Sequence, residues 1–256
     1  MLKFDAYVLK WMAIIGMVLN HVVFALFEQL PFALMFPLYL VGGLTFPILG
    51  YFVVEGYKHT SNIKRYMLRL AIFGVIAQPF HWLVFRNFGL NILFTLILSL
   101  LVLVLHDKMK IRPLFWLVFV VLLIVSAVFG MDWAVIGPIG VLLTYRIKNE
   151  KARRIVPPII FGIYSLGMVL FGMFGLWFGG PETMRAMYGE ATIYANMEFW
   201  IVSSTTFIFG CIAAGILLLN HNDERGKKSK WLFYIMYPLH LAVLGGLAVM
   251  FGNFPV

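Results

Sequence analysis

Lys10 and His21 stand eleven positions apart in one apolar run, Tyr7 to Phe27. Eleven positions is close to three helical turns, so both side chains leave a helix from nearly the same face, about 16 Å apart along its axis. A cation near one mouth and an imidazole deep in an apolar helix would line a path. The plainer alternative is a lysine that snorkels to the interface and a histidine bonded to a neighbouring helix. Ionisable residues at such depths are costly and are often functional. His21 falls about 20 Å beyond Tyr7, and His240 about 14 Å beyond Trp231, the start of the last apolar run. A neutral imidazole takes up a proton and returns it near physiological pH, as acyl or proton transfer requires. His81 and Asn91 fall at the ends of the third and fourth runs.

A second group of polar residues follows the second run: Glu55, Lys58, His59, Thr60, Asn62, Lys64, Arg65 and Arg69. Arg65 and Arg69 share a helix face. Several cations around a cavity mouth suit a phosphate-bearing cofactor, because Arg and Lys both pair strongly with phosphate. The ordinary excess of positive charge in cytoplasmic loops accounts for most of them. Arg69 is the exception, a turn inside the apolar segment, and is favoured as a ligand residue. Glu55 and Asp132 sit at span ends, where a carboxylate would orient a histidine, pair with a cation, or simply face water. No HExxH-type metal motif and no Walker or Rossmann glycine loop occurs.

The elements that must position these groups are membrane spans. Of 256 residues, 62% are hydrophobic and 12% charged, the latter about half the share of a soluble domain. Apolar stretches of near twenty residues recur along the whole length, which implies one all-α polytopic membrane domain over residues 1–256. Nine spans are expected, at 7–27, 33–57, 66–85, 90–106, 114–130, 133–146, 156–178, 198–219 and 231–251. The sixth is the weakest, short and broken by Gly137, Pro138 and Gly140. Gly42-Gly43 and Pro47 suit close helix packing and kinks.

Alternate connections hold 18 of the 20 Lys and Arg residues; only Arg86 and Arg185 fall on the other side. That pattern places the amino terminus in the cytoplasm and the carboxyl terminus outside, and it reads the net charge of +9 as topology, not nucleic-acid binding. The outer connection at about 179–197, with Pro181, Glu182, Arg185 and Glu190, would cover an outward opening. The lone Cys211 lies in an apolar segment, so an intrachain disulfide is impossible and packing is its expected role. The first run is long enough to remain as a span and carries no small-residue cleavage site.

Several of these motifs resemble the TraX family, membrane proteins related to conjugative-pilus acetylation. They are Phe4-Asp5-Ala6-Tyr7-Val8-Leu9-Lys10 through Asn20-His21, Gly43-Leu44-Thr45-Phe46-Pro47, and Val54 through Asn62. Further along come Tyr66-Met67-Leu68-Arg69-Leu70, Leu90 through Leu96, and Leu232 through Leu241. TraX proteins in turn are similar to the type 3 transmembrane acyltransferases, which carry a basic residue, ten intervening positions and a histidine on the first span. Lys10 and His21 fit that spacing, with Lys where Arg is usual, which keeps charge but loses a planar fork. Many relatives have Asp where this chain has Asn20, and Arg where it has Gly43.

The resemblance implies a multi-pass protein of the bacterial plasma membrane that moves an acetyl group from cytoplasmic acetyl-coenzyme A to an amine or hydroxyl. The acceptor would be a surface or exported molecule, a pilin-like protein or an envelope glycan. Arg69, Arg65 and Lys10, with Glu55 and Lys58 at the same mouth, would hold the anionic donor. His21 would act as general base or carry the acetyl group in a relay. Asn91, Thr95 and His240 would hold the thioester oxygen or orient His21. Two other classes compete: a proton-coupled carrier built on broken spans and buried histidines, and a catalytically silent scaffold for envelope assembly.

Overall fold

A computed structural model describes residues 3–178, 197–228 and 230–252. Ten helices occur among the described residues: α1 (Ala6–Ala25), α2 (Phe32–Gly42), α3 (Thr45–His59), α4 (Ile63–Phe85), α5 (Ile92–Lys108), α6 (Arg112–Val128), α7 (Ile136–Arg146), α8 (Glu150–Phe178), α9 (Met197–Leu219) and α10 (Lys230–Met250). Their starts follow from sequence. Asp5, Asn62 and Asn91 each turn a side-chain oxygen onto a first-turn amide, of Val8, Arg65 and Leu93 at 2.8, 2.9 and 3.1 Å, which satisfies donors the helix cannot.

Six stretches are long and apolar enough to cross a membrane: Ala6–Ala25, Phe32–His59, Ile63–Phe85, Glu150–Phe171, Ile201–Leu219 and Trp231–Met250. The expected spans at 90–106, 114–130 and 133–146 appear as α5, α6 and α7, of only 17, 17 and 11 residues. Eleven residues rise about 16 Å, roughly half a hydrocarbon core. The expected span at 33–57 is divided into α2 and α3 at Gly43-Leu44. Pro47, in the first turn of α3, has no amide to return to the Gly43 carbonyl, and the Gly43 amide is shared between the Tyr39 and Leu40 carbonyls, both at 3.1 Å. Pro181, Glu182, Arg185 and Glu190, expected to cover an opening, lie outside the described residues.

Helix α1 is central, packed against α2, α3, α4 and α10, while α4 lies along α10 and α8 along α9. The foot of α1 is tied to the segment that links α9 and α10. Phe4 forms a parallel bridge with His221: its amide donates to the Asn220 carbonyl at 3.0 Å and its carbonyl accepts from the Asn222 amide at 3.0 Å. The Ala6 amide donates to the Glu224 carbonyl at 2.8 Å, and Arg154 of α8 reaches the His221 carbonyl at 2.9 Å and the Asp223 carboxylate.

Where α2 ends, it crosses α9 backbone to backbone. A Cβ added to Gly43 would lie 2.8 Å from the Cα of Gly210, and one added to Gly210 would lie 2.7 Å from the Cα of Gly43. Only glycine at both positions permits this approach. No larger residue fits at Gly43 in this packing. Beside the crossing, Phe46, Trp133, Phe161 and Phe207 stack into one aromatic block, with centroids 4.6 Å apart for Phe46–Phe161 and 5.3 Å for Trp133–Phe207. The outward side of α6 stays bare, with Leu117 62% and Ile124 57% exposed, as lipid contact requires.

Candidate functional site

His21 of α1 and His240 of α10 meet in the interior, Nδ1 of the first 2.8 Å from Nε2 of the second. Both are buried, and their rings stack at 27° with centroids 5.0 Å apart. The proton positions follow from one further bond. His240 Nδ1 lies 2.9 Å from the Met236 carbonyl, which can only accept, so His240 donates there. In the neutral ring its Nε2 is then the acceptor, and the bond between the rings runs from His21 Nδ1–H to His240 Nε2. His21 is left with its lone pair on Nε2, bonded to no other described group. A helix carbonyl thus selects the tautomer of one histidine, and that histidine selects the tautomer of the next.

The His21 ring lines a cavity of about 280 Å³ whose walls include Asn20, Tyr39, Asp132, Trp133 and Ser203. Phe85 presents its edge to His21, centroids 5.0 Å apart, and packs against His81 at 4.5 Å. His81 is fully buried, and its Nε2 lies 3.0 Å from Asp132 Oδ2. Asp132 is itself fixed through its backbone: its amide donates to the Leu90 carbonyl at 2.9 Å, and its carbonyl accepts from the Thr95 hydroxyl at 2.5 Å. Sequence alone does not join Asp132 and His81 to the site; both fall at outer span ends, the one signal that could have placed them together.

Asn20 does not pair with His21; its side chain fills the space beside Gly42, where a Cβ would sit 2.8 Å from it. Asn91, expected to hold a reacting oxygen, has both amide protons engaged, with the Gly74 carbonyl and with Gln78 Oε1, each at 2.8 Å. Its own oxygen caps α5. It pins α4 to α5 and keeps no free donor. Thr95 is fully buried and spends its hydroxyl on Asp132.

The cations expected at one mouth have separate partners. Lys10 lies over the Phe52 ring of α3, 4.7 Å from its centroid. Arg69 lies between Tyr66 and Tyr234 at 5.8 and 5.7 Å, and its Nε donates to the Tyr234 hydroxyl at 3.4 Å. Arg65 is exposed. Glu55 is bound by Arg153 at 3.1 Å and Lys58 at 3.6 Å. Among the described residues, Lys10 and Arg69 are faced by aromatic rings and by no carboxylate, so their charge stands unneutralised.

The family model described as TraX protein matches residues 6–248. The chain is also 30% identical over 275 aligned positions to the probable fimbrial assembly protein FimC, serogroup H1, of Dichelobacter nodosus, covering 95% of each chain. No solved structure matches.

Proposed function

The chain belongs to the TraX family, and from that membership we propose that it is a membrane-bound acetyltransferase working between acetyl-coenzyme A and an amine on an envelope protein. The observation that carries this reading is the His21–His240 pair, with its fixed tautomers, whose His21 ring lines a cavity. The amino terminus and the basic loop ends face the cytoplasm in this reading, and the carboxyl terminus lies outside. The donor approaches from the cytoplasmic side, where Lys10 and Arg69 offer charge to its phosphates. Lys10 lies eleven residues below His21, about 16 Å by helix rise, a distance suited to a slim thioester arm. The acceptor enters the cavity beside Asp132.

The bound ammonium first gives one proton to water. As the freed nitrogen lone pair forms its bond to the acetyl carbon and the carbon–sulfur bond breaks, His21 Nε2 takes a second proton from the nitrogen and returns it to the leaving thiolate. His240 accepts from the opposite edge of the same ring and stabilises the imidazolium while it lasts. Asp132 is the one carboxylate among the described cavity-lining residues, and Trp133, Tyr39 and Phe207 line the same cavity. A carboxylate among rings suits an ammonium group better than a neutral hydroxyl, so of the two acceptor classes the amine is favoured. The relative's name, a fimbrial assembly protein, agrees with an acceptor among surface filament proteins.

Purified protein in detergent, given acetyl-coenzyme A and a primary-amine acceptor peptide, should release free thiol at a rate that depends on the peptide. Release no faster than in buffer alone sinks the reading. In the same assay Asp132→Asn should raise KM for the amine about tenfold, the scale of one lost charged hydrogen bond, and should barely change KM for a neutral hydroxyl acceptor.

A further inference from the structure

A second cavity, of about 750 Å³, opens where the basic ends of α5, α6 and α7 meet, and the acetyl-transfer reading makes no use of it. Five cations line it: Lys58, Arg112, Arg146, Lys148 and Arg153. Lys58 and Arg153 are tied to Glu55. Arg112, Arg146 and Lys148 have no carboxylate partner among the described residues. Two of these three are already oriented: Arg112 Nη1 donates to the His106 carbonyl at 2.9 Å, and the Arg146 guanidinium lies over the Trp116 ring at 5.7 Å. The single lining carboxylate, Asp107, is consumed, accepting from the Tyr57 and Tyr145 hydroxyls at 2.8 Å each and from His106 at 3.2 Å. The walls therefore present uncancelled positive charge on partly fixed guanidinium groups, the chemistry that takes a phosphate.

The surroundings select the kind of phosphate. From the cavity rim the bare side of α6 runs on through Leu114, Leu117 and Val121, all exposed, and Leu143 of α7, one turn before Arg146, is exposed as well. Among the described helices α6 packs chiefly on α5. Trp116 stands at the junction of the charged and apolar parts, 41% exposed, the usual depth of an interfacial aromatic ring. A charged hollow continuous with an apolar strip matches a headgroup joined to an acyl chain, whereas a free nucleotide would leave the strip uncovered. We propose that this cavity binds the phosphate headgroup of an anionic phospholipid, with one acyl chain laid along α6. Nothing in this assignment requires that the chain transfer acetyl groups.

Thermal unfolding of the full chain in neutral detergent, read by tryptophan fluorescence, tests it with added phosphatidylglycerol, phosphatidylcholine or adenosine 3′,5′-bisphosphate. Phosphatidylglycerol should raise the unfolding temperature, and phosphatidylcholine at the same concentration should not. Each Lys or Arg near an anionic lipid is worth on the order of fivefold in affinity, so Arg112→Gln/Arg146→Gln/Lys148→Gln should weaken half-saturation about a hundredfold. Lys148→Gln alone, at an exposed position that leaves folding intact, should weaken it about fivefold. His21→Ala should respond to phosphatidylglycerol as the wild type does, which separates this site from the acetyl-transfer reading. Equal response to both lipids, an unchanged response in the substituted proteins, or saturation by the bisphosphate at lower concentration than by phosphatidylglycerol would each overturn it.

Discussion

His21→Ala should lower thiol release from acetyl-coenzyme A by about 10²–10⁴-fold, the usual contribution of a positioned general base, while the protein still purifies folded. The substitution removes the only ring nitrogen in the pair whose lone pair is unspent. His240→Gln tests the other half of the argument. With that ring gone, His21 loses the acceptor that fixes its tautomer, and the rate should drop by roughly 10–100-fold, as removal of a supporting partner to a functional histidine does. The ordering matters more than either number. If His240→Gln were more damaging than His21→Ala, the roles assigned to the two rings would be reversed. If neither changed the rate, the pair would be structural only. Circular dichroism and thermal unfolding of each variant separate loss of chemistry from loss of fold.

Gly210→Ala should be the most damaging glycine-to-alanine change among the described residues. Its new carbon would meet the Gly43 backbone of α2 at 2.7 Å, and backbone atoms cannot turn aside as a side-chain end can. Overpacking of this kind costs about 3 kcal/mol at the upper end of its usual range, a large fraction of the stability of any protein. Gly246→Ala provides the control, since nothing lies within 4 Å of a Cβ there. It should be neutral or slightly stabilising, because alanine is the better helix former. Unfolding midpoints in detergent decide the matter: equal midpoints for the two variants would show that α2 and α9 do not cross so closely.

The two glycines illustrate what could be read in advance and what could not. Gly42-Gly43 invited a close-packing reading, but nothing in the linear order said that the partner would be Gly210. The same holds for the histidines. His21 and His240 were each legible as deep and apolar in setting, yet their contact joins the first helix to the last, 219 positions apart, and no periodicity encodes such a pairing. Lys10 and His21 do share a helix face by count, but α1 has neighbours all round, so Lys10 meets α3 and His21 meets α10. Asn91 carried a readable signal that pointed elsewhere: an asparagine directly before an apolar run is an N-cap first, while the amide protons that a reacting oxygen would need go to Gly74 and Gln78. Glu55, Lys58, Arg65 and Arg69 looked like one mouth because they are close in sequence. The turn between α3 and α4 separates them: Glu55 meets α8 and Arg69 meets α10. The all-helical, membrane-spanning character was the most legible, because hydropathy depends only on order along the chain; of the nine expected spans, six stretches are long and apolar enough to cross a membrane.

The bridge between Phe4 and His221 has a consequence at the far end of α1. Advancing a helix by one residue shifts it about 1.5 Å and swings each side chain through about 100°, enough to part the two imidazoles altogether. Fastened at its base by the bonds of Phe4 and Ala6, α1 has no freedom to ratchet in that way. The anchor is fifteen to seventeen residues distant from the ring it indexes, and the height of His21 in the bilayer is decided there.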